Sequence, residues 1–190
     1  MFENIIKNVH NRHPLIHCIT NYVSINDCAN IVLACGGAPI MAEDINEVSQ
    51  ITSICQGLDI NIGMLNDNKL SSMLKAGATA NELGIPVILD PVGAGSSDYR
   101  IKAVQNLMSN VQFGVIRGNV SEIKAIAAKQ GIHNIAAGVY DTMQKDKSAM
   151  GVEAGIADKI TDDNIKEMAD FINKLSQKTG AVIAVTGGID

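Results

Sequence analysis

The chain has 190 residues, 46% of them hydrophobic and 18% charged, a globular composition that excludes a disordered tail and is long enough to bury a core without staples. Fifteen Lys and Arg against 20 Asp and Glu leave a net charge of −5, and no basic face is interleaved with aromatics, so no nucleic-acid partner is expected. No run reaches the ~20 apolar residues of a membrane helix, and Met1-Phe2-Glu3-Asn4 lacks the charged and apolar regions of a leader; the expectation is no membrane and a reducing cytoplasm.

In chain order, Phe2, Ile5, Ile6 and Val9 recur at helical spacing over 1–12. Leu15 to Ile19, opened by Pro14, reads as a strand. Ser24 with Asp27 resembles a capping box, and Ile25, Cys28, Ala29, Val32 and Cys35 follow on one helical face until Gly36-Gly37. Ala38 to Met41 is a short strand, 46–55 a helix, Leu58 to Gly63 a strand, and 67–83 a helix closed by Gly84. Val87 to Asp90 is a strand, 98–109 a helix, Phe113 to Arg117 a strand, and 120–129 a helix. A short helix near Tyr140 to Lys145 is expected within an otherwise poorly ordered 131–160. Residues 162–178 form the last helix, and Gly180 leads into a strand from Ala181 to Thr186.

Strands apolar on both faces and separated by helices imply a parallel sheet covered by helices. Six strand candidates predict an α/β three-layer sandwich, mostly parallel, with helices on both faces, as a single domain over 1–190. The cysteines Cys18, Cys28, Cys35 and Cys55 form no C-x-x-C pair and lie in apolar segments, so they read as small buried hydrophobes rather than zinc ligands or a redox dithiol. His10, His13, His17 and His133 lack metal-site spacing; His17, inside an apolar strand, reads as a satisfied core histidine. The eight methionines read mostly as core packing.

Parallel α/β sheets bind ligands beyond the carboxyl ends of their strands. That rule selects Asn21, Met41, Asn61 to Met64, Asp90 to Gly95, Arg117 to Glu122, and Thr186 to Gly188. In Asp90-Pro91-Val92-Gly93-Ala94-Gly95 a strand-end carboxylate precedes glycines that let backbone approach a ligand; the plainer alternative is a turn with a capping Asp. The stretch completes neither G-x-G-x-x-G nor, with no Gly-Lys anywhere, a Walker A loop. In Arg117-Gly118-Asn119-Val120-Ser121-Glu122, Arg117 suits phosphate and Glu122 could hold a magnesium water shell; equally, Asn119 and Glu122 cap the helix they open. Asn119-Val120-Ser121 also matches a glycosylation sequon, idle in a cytoplasm. Met41 is an apolar side chain at a strand end, suited to lining a small pocket.

At these residues the sequence resembles the hydroxyethylthiazole kinase family. The matching stretches are Pro14 to Asn21, Gly36 to Met41, Leu58 to Gly63, Leu89 to Gly95, Ile116 to Glu122 and Ala184 to Gly187, in order over nearly the whole chain. The resemblance implies a ribokinase-like fold and a homotrimer with its thiazole site at a subunit boundary. It also implies transfer of the ATP γ-phosphate, with Mg2+, to the primary alcohol of 4-methyl-5-(2-hydroxyethyl)thiazole in thiamine biosynthesis. Residue by residue, it implies thiazole contact by Met41, a weaker pocket-wall role for Asn21, ATP binding by Arg117 and Thr186, and an acidic pair, Asp90 and Glu122, near magnesium and the phosphates. Two departures accompany it. The stretch 131–150 is longer than the family's connection. The family's glycine-rich G-T-G-C-like segment, which forms the anion hole, has no counterpart in 1–190, so the expectation is a domain lacking its C-terminal part, no catalytic group inside 1–190, and phosphate transfer at no useful rate by this chain alone. The alternative function is a non-catalytic ligand-binding or assembly remnant of that fold.

Overall fold

A computed structural model describes residues 2–131, 160 and 164–187. The expectations for Tyr140 to Lys145, for His133, and for the rest of 132–159 lie outside the described residues. The chain forms two compact units: 1–89 with 110–112, and 90–109 with 113–190.

The first unit runs α1 (Phe2–Arg12), β1 (Leu15–Ile19), α2 (Ile25–Ala34), β2 (Ala38–Ile40), α3 (Val48–Ile54), β3 (Gly57–Asn61) and α4 (Asp67–Glu82), and then takes most of β4 (Val87–Asp90). Its strands neighbour one another in the order β2-β1-β3-β4. β1 pairs in parallel with β2 (Leu15 opposite Ala38) and with β3 (Ile16 opposite Gly57). Three consecutive residues of β1, His17, Cys18 and Ile19, are buried, which a strand shows only when both of its faces are covered. The core adds Leu58, Ile60, Val87 and Leu89 from the strands and Met73, Ala76 and Ala80 from one stripe of α4.

The second unit holds α5 (Asp98–Asn110) up to Ser109, β5 (Val115–Asn119), α6 (Val120–Lys129), α7 (Ile165–Thr179) and β6 (Val182–Thr186). β5 and β6 are parallel, with Val115 opposite Val182 and Asn119 opposite Thr186. Leu107, Phe113, Ile116 and Ile123 are buried, as are Met168, Phe171 and Leu175 on one face of α7. The parallel strands alternating with helices are those of the expected α/β fold.

Several local expectations give way to better-satisfied alternatives. Ser24 makes no side-chain cap at the start of α2; its backbone N–H and its hydroxyl both donate to Asn21 Oδ1, at 3.0 and 3.1 Å. Asp44 Oδ1 accepts from the Asn46 amide at 2.8 Å, a side-chain turn that delays α3 to Val48. β3 starts at Gly57 and ends at Asn61, whose side chain closes the following turn on Gly63 N–H. β5 begins two residues later than expected and continues to Asn119, because its pairing with β6 extends that far. Arg117 is therefore mid-strand and points from the exposed face between buried Ile116 and Gly118. Cys18 and Cys55 are buried as expected, but Cys28 is half-buried and Cys35 is exposed. Burial pushes the Cys18 thiol up to about 12, so it stays protonated and inert.

Candidate functional site

In the second unit, Asp90 ends β4 and Arg117 projects from β5, with its Nη1 3.3 Å from Asp90 Oδ2. The guanidinium is half exposed while Asp90 is largely covered, so the pair leaves donors facing solvent. α6 opens directly from β5 with a full capping box: Asn119 Oδ1 accepts from the Glu122 amide at 2.9 Å, and Glu122 Oε2 accepts from the Asn119 amide at 2.8 Å. Glu122 Oε1 also accepts from the Gly93 amide at 2.8 Å. One carboxylate thereby fixes the start of α6 and the loop after β4. Gly93 has φ +66°, a conformation that a side chain would strain. The loop is further held by Arg100, whose Nη1 donates to Val92 O at 2.8 Å.

Glu122 is buried, and burial raises its pKa above the usual carboxylate value; the two amide bonds and Arg117 act against that rise, while the Asp90 charge adds to it. Thr186 ends β6 directly opposite Asn119. Beside it, Arg117, Thr186, Ile183, Met168 and Ile172 help to line a cavity of about 560 Å³ between β6 and α7. The structure thus brings Asp90, Arg117 and Glu122 together at one strand edge, with Thr186 in register alongside. The capping reading of that motif holds for both Asn119 and Glu122.

In the first unit, Asn21 follows β1, and its side chain shapes the local turn. Oδ1 takes the two Ser24 bonds, and Nδ2 donates to Asn61 Oδ1 at 3.2 Å. A Cβ on Gly63 would sit 2.9 Å from Asn61 Oδ1 and 3.0 Å from Asn21 Nδ2, so a side chain here would push on the Asn21–Asn61 contact. Met41 lies one residue beyond β2 and is half-buried. The segment after it is anchored by His17: Nε2 donates to Ala42 O at 2.8 Å, and Nδ1 lies 2.9 Å from the Thr52 hydroxyl. His17 is wholly buried, and burial lowers its pKa, so the neutral ring is the working form. It is the satisfied core histidine expected, with the added role of fixing the chain next to Met41.

The sequence reading missed Tyr22, Glu43 and Lys69. Lys69 is buried against the β1 and β2 ends and pairs with Glu43 at 2.7 Å. The signal was present: Lys69 falls on the same α4 stripe as Met73, Ala76 and Ala80, a place where lysine needs partners.

The Hydroxyethylthiazole kinase family model matches residues 6–162. This chain belongs to the hydroxyethylthiazole kinase family. A hydroxyethylthiazole kinase of Clostridium acetobutylicum is 53% identical over all 190 residues, and one of Desulfovibrio desulfuricans is 45% identical over the same span. The chain spans 64% and 61% of those two relatives' lengths. A solved structure of hydroxyethylthiazole kinase from Pyrococcus horikoshii OT3 superposes with a TM-score of 0.77 at 30% identity, covering 97% of this chain and 59% of that one. The ribokinase-like fold expected for the family is thereby the fold of this chain. Among the described residues, no helix is long and apolar enough to cross a membrane.

Proposed function

We propose that the protein phosphorylates the primary alcohol of 4-methyl-5-(2-hydroxyethyl)thiazole with ATP, in thiamine biosynthesis. Family membership supplies the substrate class. The observation that carries the chemistry is the Asp90, Arg117 and Glu122 cluster at one strand edge, with a helix N-terminus opening beside it. Phosphoryl transfer rests on positioning and charge neutralisation more than on covalent chemistry by the protein. Arg117 keeps donors free of Asp90 for a phosphate oxygen, and Thr186 offers a hydroxyl and backbone from the adjacent strand. Glu122 keeps the Gly93 loop and the start of α6 in one arrangement, so the strand edge that carries Arg117 meets the phosphates without reorganising.

The donor set fits magnesium that arrives with the nucleotide. Among the described residues no cluster of three or more His, Cys, Asp or Glu could cage a metal, and magnesium is ordinarily held by one or two carboxylates, waters and substrate phosphates. Asp90 and Glu122 would hold its water shell, and the ion would neutralise charge on the transferring phosphate. The alcohol site is assigned to the first unit, with Met41 against the thiazole ring and Asn21 shaping the wall.

A homotrimer is part of the same reading. α2 buries none of its residues; its Ile31 and Leu33 are exposed at 62% and 56%, and Val23 in the turn before it at 88%; an apolar surface so uncovered suits a subunit boundary. The cytoplasm suits four free cysteines. The test is ADP release coupled to NADH oxidation, run on the 190-residue chain beside a form extended through a G-T-G-C-like segment: release by the extended form that requires both Mg2+ and the thiazole alcohol, with little from the 190-residue chain, supports the assignment, and release independent of the alcohol overturns it.

A further inference from the structure

The side chain of Lys69 is 3% exposed, and a buried ammonium persists only with partners that repay its lost hydration. Its Nζ donates to Thr20 O at 2.7 Å and pairs with Glu43 Oε2 at 2.7 Å. It also lies 4.4 Å from the centroid of the Tyr22 ring, within cation–π range. Tyr22 Oη in turn donates to Glu43 Oε1. Thr20 and Tyr22 flank Asn21 in the loop after β1; Glu43 is two residues past Met41 in the loop after β2. A single cation from α4 therefore ties together two loops that no backbone ladder connects at that level, since β2 ends at Ile40 and β1 at Ile19.

We propose that Lys69 is a positioning residue that clamps the β1–α2 and β2–α3 loops and so sets the spacing of Asn21 and Met41 for the alcohol substrate. The proposal rests on the assignment of those two residues to the substrate pocket. An apolar residue would fill the same α4 stripe more cheaply. The lysine is explained by what its charge holds: one carbonyl, one carboxylate and one ring, drawn from both loops. Glu43 is the matching half, accepting from Lys69 and Tyr22 with separate oxygens. Lys75, further along α4, provides a control: it is exposed and donates to Ile45 O at 2.8 Å, touching the second loop alone.

The experiment compares wild type with Lys69→Met, Lys69→Arg and Lys75→Met by amide hydrogen exchange and by calorimetric binding of the thiazole alcohol and of a non-hydrolysable MgATP analogue. In Lys69→Met, exchange at 20–24 and at 41–45 should rise together by roughly tenfold or more, with 70–82 unchanged. Lys69→Arg should restore most of the protection, and Lys75→Met should leave 20–24 unaffected. Affinity for the alcohol should fall by about tenfold with nucleotide affinity unchanged. Exchange that rises throughout the chain, or in only one of the two loops, overturns the clamp. So does unchanged alcohol affinity in a Lys69→Met variant beside a wild type that binds. If wild type binds no alcohol, the pocket assignment fails instead, and the paired exchange still decides whether Lys69 joins the loops.

Discussion

Glu122 joins two segments through one carboxylate, and its removal is the sharpest test of how this strand edge is built. In Glu122→Ala, the Gly93 and Asn119 amides, each now bonded at 2.8 Å, lose their acceptor. A hydrogen bond to a charged group contributes about 1.5–3 kcal/mol, so the two together are gross ~3–6 kcal/mol. Against that stands the relief of no longer burying a carboxylate, which is a real cost here because burial dominates its raised pKa. The net loss expected is ~2–3 kcal/mol. Glu122→Gln retains one acceptor and should lose about half as much, while its amide NH2 meets a donor N–H. Because Asn119 and Glu122 cap reciprocally, Asn119→Ala should cost ~1 kcal/mol alone and be clearly non-additive with Glu122→Ala. With no tryptophan in the chain, the assay is urea unfolding followed by far-UV circular dichroism, read at constant m. A Glu122→Ala variant within ~0.5 kcal/mol of wild type, the scatter of ordinary surface changes, would refute the idea that this carboxylate anchors the loop.

Glu122 also predicts a pH effect. Its folded pKa is raised, so the stability it contributes is present below the ordinary carboxylate value of 4.5 and is lost as pH rises through the folded value; acidifying from neutrality should stabilise wild type relative to Glu122→Gln, and a difference independent of pH would contradict the direction. His17 has the opposite sense: its folded pKa is depressed below 6.5, so stability is present above 6.5 and falls on acidification, by up to ~1.4 kcal/mol per pH unit in urea titrations, with the slope absent in His17→Gln. Gly77→Ala would gain up to ~1 kcal/mol of helix propensity, but its Cβ would lie 2.5 Å from Val111 Cγ2; against a stiff β-branched neighbour the net should be a loss of ~1–3 kcal/mol, and a thermal melt showing stabilisation would overturn it.

The strands and most helices were legible because their signals are local. Val87 to Asp90 and Leu15 to Ile19 stand out as apolar runs bounded by breakers, and they match β4 and β1 to the residue. The Asn119–Glu122 box was legible for the same reason, since both halves lie three residues apart. What escaped depended on distant partners. Ser24 and Asp27 have the spacing of a cap, yet Asn21 captures Ser24 first. Arg117 reads as a strand-end residue because the extension of β5 to Asn119 depends on its register with β6, which lies far along the chain. Glu43 and Tyr22 look like ordinary surface residues until Lys69, 26 and 47 positions further on, arrives from α4. The resemblance to known kinases named the strand-end residues one by one, but it carried no information on which side chains hold the loops in place.

The central claim is that the chain takes two substrates through separate sets of residues: the thiazole alcohol through Met41 and the magnesium nucleotide through Asp90 and Arg117. Calorimetry with each ligand on wild type, Met41→Asp and Asp90→Asn tests it most directly. The account predicts a crossed pattern. Met41→Asp, which sets a charge against an apolar ring, weakens alcohol binding by ~1–3 kcal/mol and leaves the nucleotide alone; Asp90→Asn weakens magnesium-dependent nucleotide binding and leaves the alcohol alone. Wild type that binds neither ligand, or variants that lose both ligands equally while still folded, would contradict it.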